Sequence, residues 1–297
     1  MTRSLLLLTL LLWLTGCHTT QLNTPKSTPL TQPAKQTLQQ KKSALSKKKK
    51  DSTQMPEMLG GIVQSDQWII YKDKEQEEFT GNVSYDNGIY AFKAQYALSD
   101  RKQNTVTATG NVYAKRKELP NTQYEAYADY AHYNYKTGKG TLKSTTKNPV
   151  RLILTDDTQT VTARAKHVSF NTFTQVFILT GKVYATRVTE QGTQQIQADK
   201  VTLKQTENYL YLDGNAILQD DQYKLQADSV IYDGAHNQAH AYGARPLATG
   251  ATEQGTFAII ADTISSDAEG TLVTLDGKVQ GWLVSPELNN NKINNKF

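Results

Sequence analysis

Residues able to do acid–base or metal chemistry are few and scattered in this sequence. His236 and His240 lie four positions apart, a spacing that joins two metal ligands on a helix. Here they follow Asp233 in a turn and strand region, without a third ligand at a metal-site spacing. The acids of Asp156–Asp157 and Asp220–Asp221 are neighbours, so in strands they point to opposite faces and do not converge as a catalytic carboxylate pair must. We therefore expect no enzyme, no metal site and no cofactor.

The single cysteine stands where an anchoring signal would place it. Arg3 precedes the apolar run Leu5–Leu14, which is about ten residues long and too short to span a bilayer. Leu14-Thr-Gly-Cys17 then resembles a bacterial lipobox, which implies cleavage before Cys17 and acylation of that residue. An ordinary secretory signal with a chance cysteine is the alternative. The resemblance predicts a protein attached to a membrane through lipid chains rather than spanning it.

Charge divides the chain into a basic leader and a mildly acidic remainder. Residues 1–50 carry nine of the 33 basic residues and no acid, which leaves 24 basic against 28 acidic residues in the rest. We expect a signal peptide over 1–16 and a tether over 17–60, which is rich in Lys, Gln, Thr and Pro and too poor in apolar residues to fold. The Asn-rich 285–297 reads as a disordered tail. No basic stripe suited to nucleic acid is visible in the folded part.

A repeat runs through 61–284 and predicts the fold. A small residue, most often followed by Asp, precedes a Gly by 16 positions in six pairs: Ser65 and Gly81, Ala94 and Gly110, Ala165 and Gly181, Ala198 and Gly214, Ala227 and Gly243, Ala261 and Gly277. A seventh copy, from Ala128 to Asn148, is stretched to 20 and continues into Pro149, which cannot donate to a strand ladder. A repeat of this kind indicates one structural unit used several times.

Each unit supplies two strands. Around each Gly, apolar or small residues alternate with polar ones, as in Leu179–Ala185 and Leu212–Leu218, and this period of two predicts one buried and one wet face. We place the first strand after the Ala-Asp element, where Asp makes a turn hydrogen bond, and the second through the Gly, which bends it. Seven such units predict an all-β domain of about fourteen strands.

These elements resemble a known family of exported proteins. Gly-Asn-Val and Gly-Lys-Val segments alternating with Ala-Asp-x-Val/Ile segments are similar to the OstA-type domain of lipopolysaccharide transport. That domain occurs in the LptA and LptC proteins and in the amino-terminal part of LptD. The resemblance covers about residues 62–283 and implies an open, V-shaped antiparallel β-jellyroll with an apolar interior. It also implies a periplasmic location, lipopolysaccharide or a related glycolipid as ligand, and edge-to-edge β pairing with other transport proteins.

The alternating face gives the candidate binding residues. We expect the groove that holds acyl chains to be lined by Val83, Tyr85, Val112, Leu179, Val183, Leu212, Ala216 and Val279. The membrane attachment is Cys17, with the outer membrane favoured over the inner. Periodicity alone leaves open whether the interior is a groove or a filled core. The alternative function is therefore a closed β-solenoid that serves as an envelope scaffold or adhesin.

Overall fold

A computed structural model describes residues 61–284, apart from 119–120, 146, 191, 237, 253–254 and 268–271. The expected signal peptide, Cys17, tether and tail lie outside these residues. Strands and turns make up the whole described part, which holds no helix long and apolar enough to cross a membrane.

Twenty antiparallel strands form one sheet. Their bounds are β1 Ile62–Gln64, β2 Gln67–Tyr71, β3 Gln76–Asp86, β4 Tyr90–Asp100, β5 Thr105–Glu118, β6 Thr122–Asn134, β7 Lys139–Lys143, β8 Val150–Thr155, β9 Gln159–Ala165, β10 His167–Asn171, β11 Val176–Thr189, β12 Gly192–Lys204, β13 Tyr209–Gln219, β14 Tyr223–Asp233, β15 Gln238–Tyr242, β16 Leu247–Thr252, β17 Gly255–Ile260, β18 Thr263–Asp267, β19 Val273–Asp276 and β20 Gln280–Val284.

The twenty strands make fourteen passes of the chain, laid side by side in sequence order. Eight strands, β3–β6 and β11–β14, run the full length of a pass. Each of the other six passes is divided into two short strands. In four of them the two strands share a long neighbour, as β1 and β2 share β3, and in the last two they pair with other short strands. The all-β, repeat-built antiparallel fold predicted from the sequence is therefore confirmed. The predicted number of about fourteen strands corresponds to the fourteen passes, because six passes are each divided into two strands.

A crease crosses every pass and divides the sheet into two leaves. Leaf A contains β2, β7, β10, β15, β18 and β19; leaf B contains β1, β8, β9, β16, β17 and β20; the eight long strands cross from one leaf to the other. At the crease the register shifts, for example between Thr180 and Val183 of β11. The bulged residues Gly181 and Lys182 have φ of 88° and 60°. Positive φ at two successive positions favours Gly in the first, so the repeated Gly marks a bulge that bends the strand.

The small residue and the residue after it lie at the crease. In three units a strand starts directly after them, as predicted: β2 follows Asp66, β10 follows Lys166 and β18 follows Asp262. In the units of β4, β6, β12 and β14 the expectation was wrong, because one long strand runs through the element; β12, for example, begins six residues before Ala198. Asp199 makes no turn hydrogen bond there: it accepts from Asn215 Nδ2 at 2.7 Å, across the crease. A Cβ on Gly214 would lie 2.6 Å from Asp199 Oδ2, so the Asp fills the space that Gly leaves empty.

The stretched seventh unit is irregular, as Pro149 predicted. Residues 144–149 separate β7 from β8 where other units have a bulge. The backbone N–H of Asp129 donates to Ser144 Oγ at 2.8 Å, and that of Thr145 donates to Asp129 Oδ2 at 3.2 Å. Beyond this loop Val150 is fully buried, so the inner face resumes without loss.

Candidate functional site

The inner faces of the two leaves form a single apolar cluster. Next to the crease, leaf B presents a row of small side chains that are between 0 and 8% exposed: Val83, Ala94, Val112, Ala128, Val150, Ala165, Val183, Ala198 and Ala216. Leaf A presents a bulkier row, in which cross-strand partners include Phe79 and Ala97, Val168 and Leu179, and Val201 and Leu212. Since the inner side chains of both leaves are buried in one cluster, the leaves face each other across a narrow slot.

The middle of this slot is filled. Val150 and Val168, in the sixth and seventh passes, are 0% and 1% exposed, and Leu212 and Tyr232 of β13 and β14 are 0% exposed, so water does not reach this part of the inner face. Burial raises the pKa of the Tyr232 hydroxyl to about 12, with the nearby Asp233 adding to the effect. In the central passes the leaves are therefore packed side chain to side chain, and an acyl chain could enter there only if the leaves moved apart.

The two ends of the slot are open and apolar. At the first end Trp68 is 51% exposed and Ile70 57%, although both belong to inner-face rows. At the last end Val279 is 49% exposed and Leu283 61%. These side chains face inward, and no further pass formed by residues 61–284 covers them. The inner face thus reaches solvent as two apolar mouths.

Both mouths coincide with free strand edges. Among the strands that the structure describes, the first pass pairs with β3 alone, through β1 and β2. In the last pass, β19 pairs with β18 and β20 with β17. Within the described residues these two outer passes do not pair with each other, so the sheet is open. Unpaired edges beside exposed apolar side chains are suited to strand addition by another chain.

On the face of leaf B that lines the slot, polar side chains occupy the edge farthest from the crease. Arg187 follows Val183 and Ala185 on the inward side of β11 and is only 9% exposed. Its Nε donates to Gln159 Oε1 at 2.6 Å, and its Nη1 donates to Gln194 Oε1 at 3.2 Å. Burial lowers the pKa of this guanidinium, and the Asp156 carboxylate opposes that shift.

A second arginine, Arg116, shares this row. Continuous cross-strand pairs join Arg116, Tyr124, Leu154, Val161 and Arg187. The slot is therefore apolar near the crease and cationic near one rim. Sequence reasoning missed these arginines, although both continue the period-two face that it identified.

The predicted lining residues mostly reach the inner face. Val83, Val112, Leu179, Val183, Leu212 and Ala216 are buried in the apolar cluster. Tyr85 is partly buried beside them, and Val279 stands at the open last end. Whether any of them contacts a glycolipid stays a prediction. The predicted attachment residue, Cys17, lies outside the described residues.

The candidate chemical residues do not gather into a site. His236 Nδ1 lies 2.7 Å from Asp233 Oδ2 in the turn after β14, and His240 Nδ1 lies 2.7 Å from Ser265 Oγ on the outer face of leaf A. In the part of the chain described, no three His, Cys, Asp or Glu side chains are placed to hold a metal ion.

Comparison with known proteins gives similarity to solved structures and to no family model or curated protein. Among solved structures the chain is similar to LptH, the LptA homologous periplasmic component of the lipopolysaccharide transport device of Pseudomonas aeruginosa. That similarity has 17% identity and a TM-score of 0.33, and it covers 40% of this chain and 80% of the other. A similarity at this level does not extend to function.

Proposed function

We propose that this protein binds the acyl chains of lipopolysaccharide, or of a related acylated glycolipid, between the two leaves and passes the glycolipid between membranes. The observation that carries this proposal is the continuous apolar slot with an apolar mouth at each end. A structural core has no need of exposed Trp68 and Ile70 at one end and exposed Val279 and Leu283 at the other. Acyl chains that cover these side chains would remove both surfaces from water.

Transfer requires only burial, with no bond made or broken. Each methylene removed from water contributes roughly 0.8 kcal/mol. Because the centre is filled, chains first bind at a mouth, and deeper binding requires the leaves to separate around them. The small side chains of the leaf B row, such as Ala165, Val183 and Ala198, leave the least bulk to displace. Chains held at a mouth can therefore leave without separating the leaves, whereas chains bound deeper leave only as the leaves part again.

Partners for such a transfer are other lipopolysaccharide-transport proteins joined at the free edges. An added strand at β1 and β2, or at β19 and β20, would extend the sheet and the slot together. The open mouth of one chain would then continue into the next. A periplasmic location with attachment to the outer membrane through a lipidated Cys17 is the remaining part of this proposal, and it rests on the amino-terminal sequence.

Photo-crosslinking in cells tests the slot directly. We would replace Phe177, a partly buried inner-face residue on a central strand, with a photoreactive phenylalanine, which preserves its aromatic bulk. The matched control is the same replacement at Tyr211, an aromatic residue on the outer face of leaf A. A third variant carries the probe at Trp68, at the first mouth.

The expected result is a glycolipid adduct at Phe177 and Trp68 and none at Tyr211. An adduct at Trp68 alone would mean that chains stay at the mouth. A folded protein with no adduct at any position would refute glycolipid binding. It would favour the second candidate, a closed envelope scaffold or adhesin, for which the filled centre around Leu212 and Tyr232 is the specific observation.

A further inference from the structure

A row of aromatic and basic side chains crosses the outer face of leaf B, on the side away from the slot. Cross-strand pairs join its members in continuous register: Lys93, Tyr113, Tyr127, Arg151, Arg164 and Tyr184. Each alternates with an inner-face neighbour, as Tyr113 does with the buried Val112, so the six side chains point outward together. At strand spacings of about 4.8 Å the row is roughly 24 Å long.

Two of the three rings in this row, those of Tyr113 and Tyr127, are held in place by one carboxylate. Tyr127 Oη donates to Glu125 Oε2 at 2.8 Å, and Tyr113 Oη donates to Glu125 Oε1 at 3.2 Å. Burial, helped by Glu125, raises the pKa of Tyr113 to about 12, which keeps the donating proton in place. The Arg151 guanidinium lies over the Tyr127 ring at 4.2 Å from its centroid. The row is thus ordered before any ligand arrives.

Positive charge gathers beside the row at the crease. In the unit of Ala165 and Gly181, Lys166 and Lys182 occupy the positions where other units have a hydrogen-bonded pair, such as Asp199 and Asn215. Among the ion pairs formed by described residues, none involves Lys166, Lys182, Arg151 or Arg164.

Apart from Glu125, whose carboxylate accepts hydrogen bonds from Tyr113 and Tyr127, acids are scarce on this part of the surface. The outward positions of β8, β9 and the leaf B part of β11 are Thr, Ile, Val, Tyr and Arg only. The acids of the β8–β9 turn, Asp156 and Asp157, lie at the far rim and are bound there by Gln159 and Asn121. On a domain that is acidic overall, this face is locally cationic.

We propose that this outer row binds an anionic glycan, a linear polysaccharide that carries carboxylate or phosphate groups. Tyrosine rings offer flat apolar faces to the C–H faces of sugar rings. Guanidinium groups make paired hydrogen bonds to carboxylate or phosphate. A narrow line of side chains fits a polymer lying across the strands better than it fits a flat lipid surface, which would contact a broad patch. This site is independent of the slot and of its acyl ligand.

Titration of the full mature chain with defined oligosaccharides tests the proposal. The probe is a carboxylated oligogalacturonate, and the neutral match is an oligomaltose of the same length. We expect the carboxylated probe to bind more tightly, with affinity that falls as salt rises. Removing charge in the double variant Arg151→Gln, Arg164→Gln should weaken its binding roughly tenfold or more, the loss expected for a charge-assisted contact.

Two further variants distinguish binding at this row from general electrostatic attraction to the protein. Lys117→Gln with Lys224→Gln removes the same charge from the same face but outside the row, and it should leave binding within about twofold of the wild type. Tyr184→Leu keeps the charge and should still weaken binding. Urea unfolding of each variant checks that the fold persists.

Three outcomes would overturn the proposal. The first is equal losses in the Arg and Lys double variants. The second is equal binding of the charged and neutral sugars, or binding of neither. The third is binding to vesicles of phosphatidylglycerol and phosphatidylethanolamine, with the Arg double variant defective, while the carboxylated sugar does not bind; this would assign the row to a lipid surface.

Discussion

Replacing Gly181 by alanine tests whether the crease depends on glycine for two separate reasons. Gly181 has φ of 88°, and an added Cβ would lie 2.7 Å from the Cβ of Lys166, between β9 and β10 on the neighbouring pass. The left-handed backbone costs an alanine about 1–2 kcal/mol. The contact joins two Cβ atoms, which rotamer changes cannot separate, so the strands must shift, at about 1–3 kcal/mol for overpacking. Gly181→Ala should therefore lower the free energy of unfolding by about 2–5 kcal/mol.

Urea denaturation of matched variants measures the two contributions. Gly88 has a similar φ of 85° but nothing within 4 Å of an added Cβ, so Gly88→Ala should show only the backbone cost. Lys166→Gly removes the contacting Cβ, so the double variant with Gly181→Ala should be less destabilised than the two single variants added together. Equal losses for Gly88→Ala and Gly181→Ala, with no coupling to Lys166, would refute the close-approach reasoning.

Two other predictions address the closed centre and the turns. Leu212→Ala, in the filled part of the slot, should lower the free energy of unfolding by about 2–5 kcal/mol. Val279→Ala, at the open last end, should change it by about 0.5 kcal/mol or less. Similar shifts of the urea midpoint for both variants would contradict the difference in packing. Asp233 accepts from Tyr209 Oη at 2.6 Å and from backbone N–H groups of its turn, and these bonds, with His236 Nδ1, hold its pKa at about 2. A depressed carboxylate pKa adds stability that is complete above the unfolded value of about 4 and is lost as pH falls through about 2. Asp233→Asn should thus be less stable than the wild type at pH 7, and the gap should close between about pH 4 and 2; a gap that persists at the lowest pH would exclude this linkage.

The creased sheet could be predicted from local sequence because its determinants are local. A period of two assigns Leu179 and Val183 to one face wherever the strand lies. A Gly with positive φ bends its own strand, and the fixed spacing of 16 places Gly181 beside Lys166 on the preceding pass. The extent of the first strand was missed in the units of β4, β6, β12 and β14. The polar residues before Ala198, for example, alternate too weakly to reveal that β12 begins at Gly192.

What the sequence by itself determined is therefore the all-β class, the repeat, the bend at each Gly and the inner face. The tertiary structure alone decided what these faces do, since burial and charge depend on neighbours far apart in the chain. The leaves close around Leu212, yet Val279, on the same type of face, stays exposed because no further pass covers it. Strand pairing also brings Tyr113 and Arg164, some fifty positions apart, into one row, where charge that averages out along the chain becomes concentrated on a single surface.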